Sequence, residues 1–171
     1  MRILKDSEIA DFLAEKKMLP KNWQNQFQLR EKRNFQWEER TIEISGEANN
    51  IFRIILRQSR MNPFDFSIIL AYKENNITYR LVRYNGIHAS PHTNVWEKMQ
   101  KLPNYSFDPT FHIHKATERY QELSEDKIDG FAEATTSYND FRSALKCFFR
   151  DNNFQFPDDS QLGIFKGEIF T

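Results

Sequence analysis

With one cysteine in 171 residues, Cys147, the chain has no second thiol for an internal disulfide,. Its place in an apolar helical stripe marks it as a small core residue rather than a nucleophile. Glycine and proline are scarce, five and six in all, and no low-complexity tract or internal repeat occurs. Nothing in that composition argues for disorder, a collagen-like chain or a flexible linker. The longest apolar stretch, around Ile68 to Tyr72, is far too short to span a bilayer,. The first dozen residues carry Arg2, Lys5, Asp6, Glu8 and Asp11, so no uninterrupted apolar leader is present there,. A cytoplasmic address without a membrane partner is the expectation. Net charge is also missing: 24 basic residues balance 24 acidic ones, which excludes a chain that binds nucleic acid through its overall charge.

What the sequence has in quantity is phenylalanine, 16 in all, enough to supply much of the core of one domain over 1–171. Charge is unevenly spread. Residues 79–119 hold six Lys or Arg against three acids together with all four histidines, whereas residues 120–171 hold ten acids against five bases. The middle of the chain can attract an anion that the last third repels.

Asp6 or Ser7 can cap a first helix, over about 7–17, with Ile9, Phe12 and Leu13 as its apolar stripe and Pro20 as its stop. Residues 22–36 show no clean period. From Trp37 the pattern turns to period two: Ile42 and Ile44, then Phe52 to Leu56, then Phe64 to Tyr72, then Ile77 to Leu81. Four antiparallel strands follow, with Asn75-Asn76 as a two-residue hairpin turn. Gly86, Pro91, Pro103 and Pro109 make 85–109 a long loop with one helical turn near Trp96 to Met99. Phe111-His112-Ile113-His114 restores period two. Ser137 and Asp140 resemble a capping box ahead of a helix over 138–151 whose stripe is Phe141, Leu145, Phe148 and Phe149. The fold class expected is α+β: an antiparallel sheet of five or more strands, packed on one face by the N- and C-terminal helices. Residues 154–171, with Ile164 to Phe170, are expected to be an edge strand or a partner-binding tail.

His88, His92, His112 and His114 all fall in one loop and the strand after it. On a strand, residues i and i+2 share a face, so His112 and His114 present two imidazoles side by side, away from Phe111 and Ile113. Three readings stay open. The pair can act as general base and acid on a phosphodiester, with Arg83, Lys115 or Arg119 meeting the charge on phosphorus. A metal-free mechanism of that kind uses a ribose hydroxyl, which makes RNA the substrate. Two or three histidines can instead bind a divalent metal, although no H-E-x-x-H run or cysteine pair accompanies them. Or the histidines bond loop carbonyls and are structural.

Arg83-Tyr84-Asn85, Pro91-His92-Thr93-Asn94 and His112-Ile113-His114, read together, resemble a family of small bacterial proteins of unknown function. Its members show a Pro-His-x-Asn loop, a His-x-His strand and a short C-terminal helix. That family is similar to TumE-type toxins, found beside small antitoxin partners. The resemblance covers about residues 64–153 and implies importance for Arg83, His92, Asn94, His112 and His114. Asn85 stands where an acid is usual, and the Asp-Gly that often follows the loop motif is missing.

The leading expectation is therefore a toxin-like or defence-associated protein acting on RNA as a metal-independent ribonuclease. His112 and His114 are its acid–base pair, His92 positions them and Arg83 holds a phosphate. Asn94, Lys115, Arg119 and His88 contact substrate, and neither a metal nor another cofactor is required. The rival expectation is a non-enzymatic module, an antitoxin-like regulator or phage-encoded inhibitor, that binds a small protein partner through the 154–171 tail. A histidine cluster lining a concave pocket favours the enzyme.

Overall fold

The computed structural model describes residues 2–31, 36–124 and 127–157. Chain order is α1 (Asp6–Ala14), β1 (Lys17–Met18), α2 (Trp23–Gln26), β2 (Arg30–Glu31), β3 (Trp37–Ser45), β4 (Ile51–Ser59), β5 (Phe66–Glu74) and β6 (Ile77–Asn85). Then come β7 (His92–Thr93), α3 (Val95–Met99), β8 (Ser106–Phe107), β9 (His112–Lys115), α4 (Glu118–Leu123), β10 (Phe131–Ala134), α5 (Phe141–Asp151) and β11 (Phe154–Gln155). The fold is α+β. Seven strands make one antiparallel sheet in the order β10-β9-β6-β5-β4-β3-β2. No described helix is long and apolar enough to cross a membrane.

The period-two segments become β3 to β6, a meander in which each strand pairs with the next. Asn75 opens the β5–β6 turn at φ 55°, a conformation that Asn tolerates better than most side chains,. On the covered face, Phe52, Ile54, Leu56, Phe66, Ile68 and Leu70 are buried against Phe141, Leu145, Phe148 and Phe149 of α5. Phe12 and Leu13 of α1 pack against the same cluster. Trp23 of α2 is a core residue, edge-on to Phe27, Phe149 and Phe156.

Several local expectations are corrected. The first helix is capped by the backbone of Lys5, whose N–H donates to Glu8 at 2.9 Å, and Asp6 instead accepts from the N-terminal N–H of α4. It ends at Ala14 rather than near residue 17, because Lys17 turns inward and gives its Nζ to the carbonyls of Phe12, Leu13 and Glu15. Before α5 the capping box is Asp140 with Ser143, not Ser137 with Asp140: Ser143 N donates to Asp140 Oδ1, and Asp140 N donates to Ser143 Oγ. The 85–109 loop contains a small hairpin, β7 paired with β8 and α3 between them. Of the expected tail, residues 154–155 form β11, parallel to β1. Ile164 to Phe170 lie outside the described residues.

One irregularity governs the open face. In the β5–β6 ladder, Leu70 pairs with Val82 but Ala71 pairs with Arg80, so Leu81 is an extra residue in β6. A bulge of this kind shifts the alternation by one place. Tyr79, Val82 and Tyr84 all lie buried in the helix-side core. Arg80 and Arg83, three apart in sequence, therefore share the opposite face.

Candidate functional site

The open face is built by register. In one row across the sheet, Ser67 pairs with Asn85 and Asn85 with His112; in the next, Ile69 pairs with Arg83, Arg83 with His114 and His114 with Ala132. The β7–β8 hairpin folds over these rows and brings His92 down on them. Ring centroids are 4.8 Å apart for His92 and His114, 5.0 Å for His112 and His114, and 5.8 Å for His92 and His112. One ring nitrogen from each of the three lies within 4.8 Å of the others.

The hydrogen bonds fix which nitrogen carries the proton. A carbonyl only accepts, so Nδ1 of His112 donates to Thr110 O at 2.7 Å and Nδ1 of His114 to Asp129 O at 2.9 Å,. In the neutral rings Nε2 then holds the lone pair. His92 is reversed by Asn94. The Asn94 amide donates to Ala132 O at 2.9 Å, and its Oδ1 accepts from Ala132 N at 2.8 Å. That same Oδ1 faces His92 Nε2 at 3.0 Å, which places the proton on Nε2 and the lone pair on Nδ1. Asn85 donates to His112 Nε2 over 3.2 Å while accepting from Ser67.

Burial keeps these rings neutral. His112 and His114 are each 5% exposed. Burial pushes His112 down to about 4, with His88, His92 and Arg83 adding to the shift. It pushes His114 down to about 2, where Arg83 is the next contributor. His92 is lowered by burial too, opposed by Asn94 and the Gly130 backbone. An imidazole taken out of water beside cations favours its uncharged form.

His92 and His114 form part of the wall of a cavity of ≈270 Å³, together with Arg80, Arg83, Lys127 and Asp129. Asp129 is 2% exposed and forms ion pairs with Arg80, its Oδ1 3.2 Å from Nε, and with Arg83, its Oδ2 3.1 Å from Nε. Burial depresses the Arg83 guanidinium; Asp129 opposes that shift and Arg80 adds to it. Gly130 follows in the same wall, where a Cβ would run into the ring of Tyr120.

The structure thus brings together Arg83, His92, Asn94, His112 and His114. Asn94 is buried and bonds the backbone of β10 and His92, so it orients rather than faces the cavity. His88 stands beside the cluster, edge-on to His112 at 5.7 Å and bonded to Asp65 at 2.7 Å. Lys115 and Arg119 are not part of the arrangement. Lys115 alternates with His114, points to the other face of the sheet and pairs with Glu133. Arg119 pairs with Glu97 at 2.6 Å over the rings of Trp96 and Phe131. Arg80, Lys127 and Asp129 were not anticipated. The bulge that brings Arg80 and Arg83 onto one face has no sequence signature, and Asp129 belongs to the acidic last third. Only the Asp129-Gly130 turn ahead of Phe131 offered a signal.

No family model matches the chain, and neither do any curated protein or solved structure.

Proposed function

We propose that this protein is a divalent-metal protein whose centre is His92, His112 and His114. The observation that carries the reading is three convergent neutral imidazoles, each held through its other ring nitrogen by a carbonyl or an amide oxygen. Metal-binding histidines have this outer support, because it fixes tautomer and ring orientation. Imidazole suits zinc and the later first-row metals. Zinc–nitrogen bonds of ~2.0–2.1 Å in a tetrahedron place ligand atoms about 3.3 Å apart, so modest side-chain rotations close the set. Binding exchanges the Asn85 bond at His112 Nε2 for the metal. Three protein ligands beside a cavity leave a coordination position open, the pattern of catalytic rather than structural zinc.

The acid–base use of His112 and His114 on RNA draws on the same face and needs one imidazolium near neutral pH. Burial that holds them to about 4 and about 2 gives the metal reading the better support. The test is metal uptake. Chelator-stripped full-length protein is titrated with zinc and cobalt(II), and bound metal is measured by elemental analysis and the cobalt visible spectrum. One equivalent is expected for the wild type and none for His112→Ala/His114→Ala, with thermal melts of the metal-free proteins as the control for folding. A wild type that retains no metal after gel filtration sinks the reading. RNA cleavage that survives excess chelator and is lost in the double variant restores the acid–base pair.

A further inference from the structure

We propose that the cavity beside the histidines receives a small oxyanion, a phosphate or the phosphate end of a phosphomonoester, held by Arg83 and Lys127 and bordering the metal position. The inference rests on the three-histidine reading for the shared metal, and on the cavity's own cations for the rest.

Charge is the first argument. Arg80, Arg83 and Lys127 contribute three positive charges to the cavity wall and Asp129 one negative charge. Cationic side chains thus predominate over the single carboxylate in the lining, which favours an anion,. A divalent metal adds positive charge to the same region, and an oxyanion beside it offsets that added charge. The two ligands therefore favour each other, and by linkage each tightens the other by the same factor.

Geometry is the second. Asp129 is ion-paired with both arginines, and the bulge at Leu81 sets them on one face. Arg83 makes no hydrogen bond through either Nη among the described residues. Its contact with the buried Asp129 Oδ2 at 3.1 Å is a charge contact without hydrogen-bond alignment. The guanidinium is thus oriented in advance, with donors left for a ligand, and the forked array suits a phosphate oxygen pair. Lys127 is exposed at the rim, and its ammonium forms no ion pair among the described residues.

Size is the third. A volume of ≈270 Å³ lies just below the roughly 300–1,000 Å³ usual for pockets that enclose small molecules,. It fits an end group or a free ion rather than a length of polynucleotide strand.

The experiment is calorimetric titration of the full-length protein, zinc-loaded and chelator-stripped, with inorganic phosphate, adenosine 5′-monophosphate and an RNA oligomer lacking terminal phosphates. Expected is weak phosphate binding to the stripped form, and binding about tenfold or more tighter to the loaded form. Lys127→Ala, an exposed change that leaves folding and zinc content intact, should weaken phosphate about threefold. Arg83→Gln should weaken it roughly tenfold or more. Binding of both phosphate and the monophosphate assigns a phosphomonoester end; binding of phosphate alone assigns the free ion. The proposal is overturned if neither binds at millimolar concentration, if both variants bind like the wild type, or if only the oligomer binds. Failure of the metal reading looks different: no zinc uptake, with phosphate binding to the stripped protein intact, an outcome that supports the oxyanion site by itself.

Discussion

Lys17→Met should cost the fold far more than the loss of an exposed lysine. Lys17 is fully buried, and its Nζ donates to Phe12 O at 2.8 Å, Leu13 O at 3.1 Å, Glu15 O at 2.7 Å and Asn152 O at 3.1 Å. Three of those carbonyls lie at the C-terminal end of α1, where helix carbonyls lack partners, and the fourth follows α5. The ammonium also sits 4.6 Å above the ring of Phe52. Methionine keeps the apolar stem and removes every donor. A buried carbonyl left without a partner costs ~1–3 kcal/mol, and removing a buried charge returns part of the sum. The net loss expected is about 3 kcal/mol, which for a chain of this size lowers Tm by about 6–12 °C. The assay is a thermal melt followed by circular dichroism beside Lys16→Met. Lys16 is exposed and only 3.8 Å from Glu47, so its loss should stay within about 0.5 kcal/mol,. A Lys17→Met protein melting within about 2 °C of Lys16→Met would refute the reasoning.

Asn94→Ala should lower zinc affinity by roughly 10–100-fold through loss of the His92 tautomer. Asn94→Asp, which still accepts from His92 and Ala132, should recover most of that affinity while remaining less stable; equal affinity in all three proteins would remove Asn94 as a positioning residue. Asp140→Ala deletes the α5 cap and should cost about 1 kcal/mol in urea unfolding, with no change in metal uptake,. Burial pushes the Lys17 ammonium from 10.5 down to about 8. The folded chain then binds fewer protons than the unfolded chain between those values, so the contribution of Lys17 to stability rises from pH 8 towards 10 and is flat below 7. Urea melts of wild type against Lys17→Met across that range read it directly, and a constant difference would contradict it.

The meander was legible because β3 to β6 each bury one face, and a half-buried strand prints its alternation on the sequence. Helix α5 was legible for the same reason at helical period. The pairing of His112 with His114 on one face followed from strand parity alone. Parity also failed, in β6: continuing the alternation of Ile77, Tyr79 and Leu81 puts Arg83 on the helix side, and only the unpaired Leu81 moves it across. The edge strand Phe131–Ala134 has a single large apolar residue, too little to mark a period. Strands of two residues, such as His92–Thr93, exist through tertiary contact and leave no pattern at all. Lys17 was hidden because nothing local distinguishes a lysine that caps a helix from inside.

The pairing of β1 with β11 has a consequence for synthesis. Lys17 lies beside Phe154 and shares its ammonium with Asn152. The meander can assemble as it leaves the ribosome, but the lysine beneath its first helix lacks its β11 partner and the Asn152 carbonyl until Phe154 emerges 137 residues later. At about 5–20 residues per second that interval is roughly 7–27 s, during which Phe12 and Leu13 have no finished core to enter.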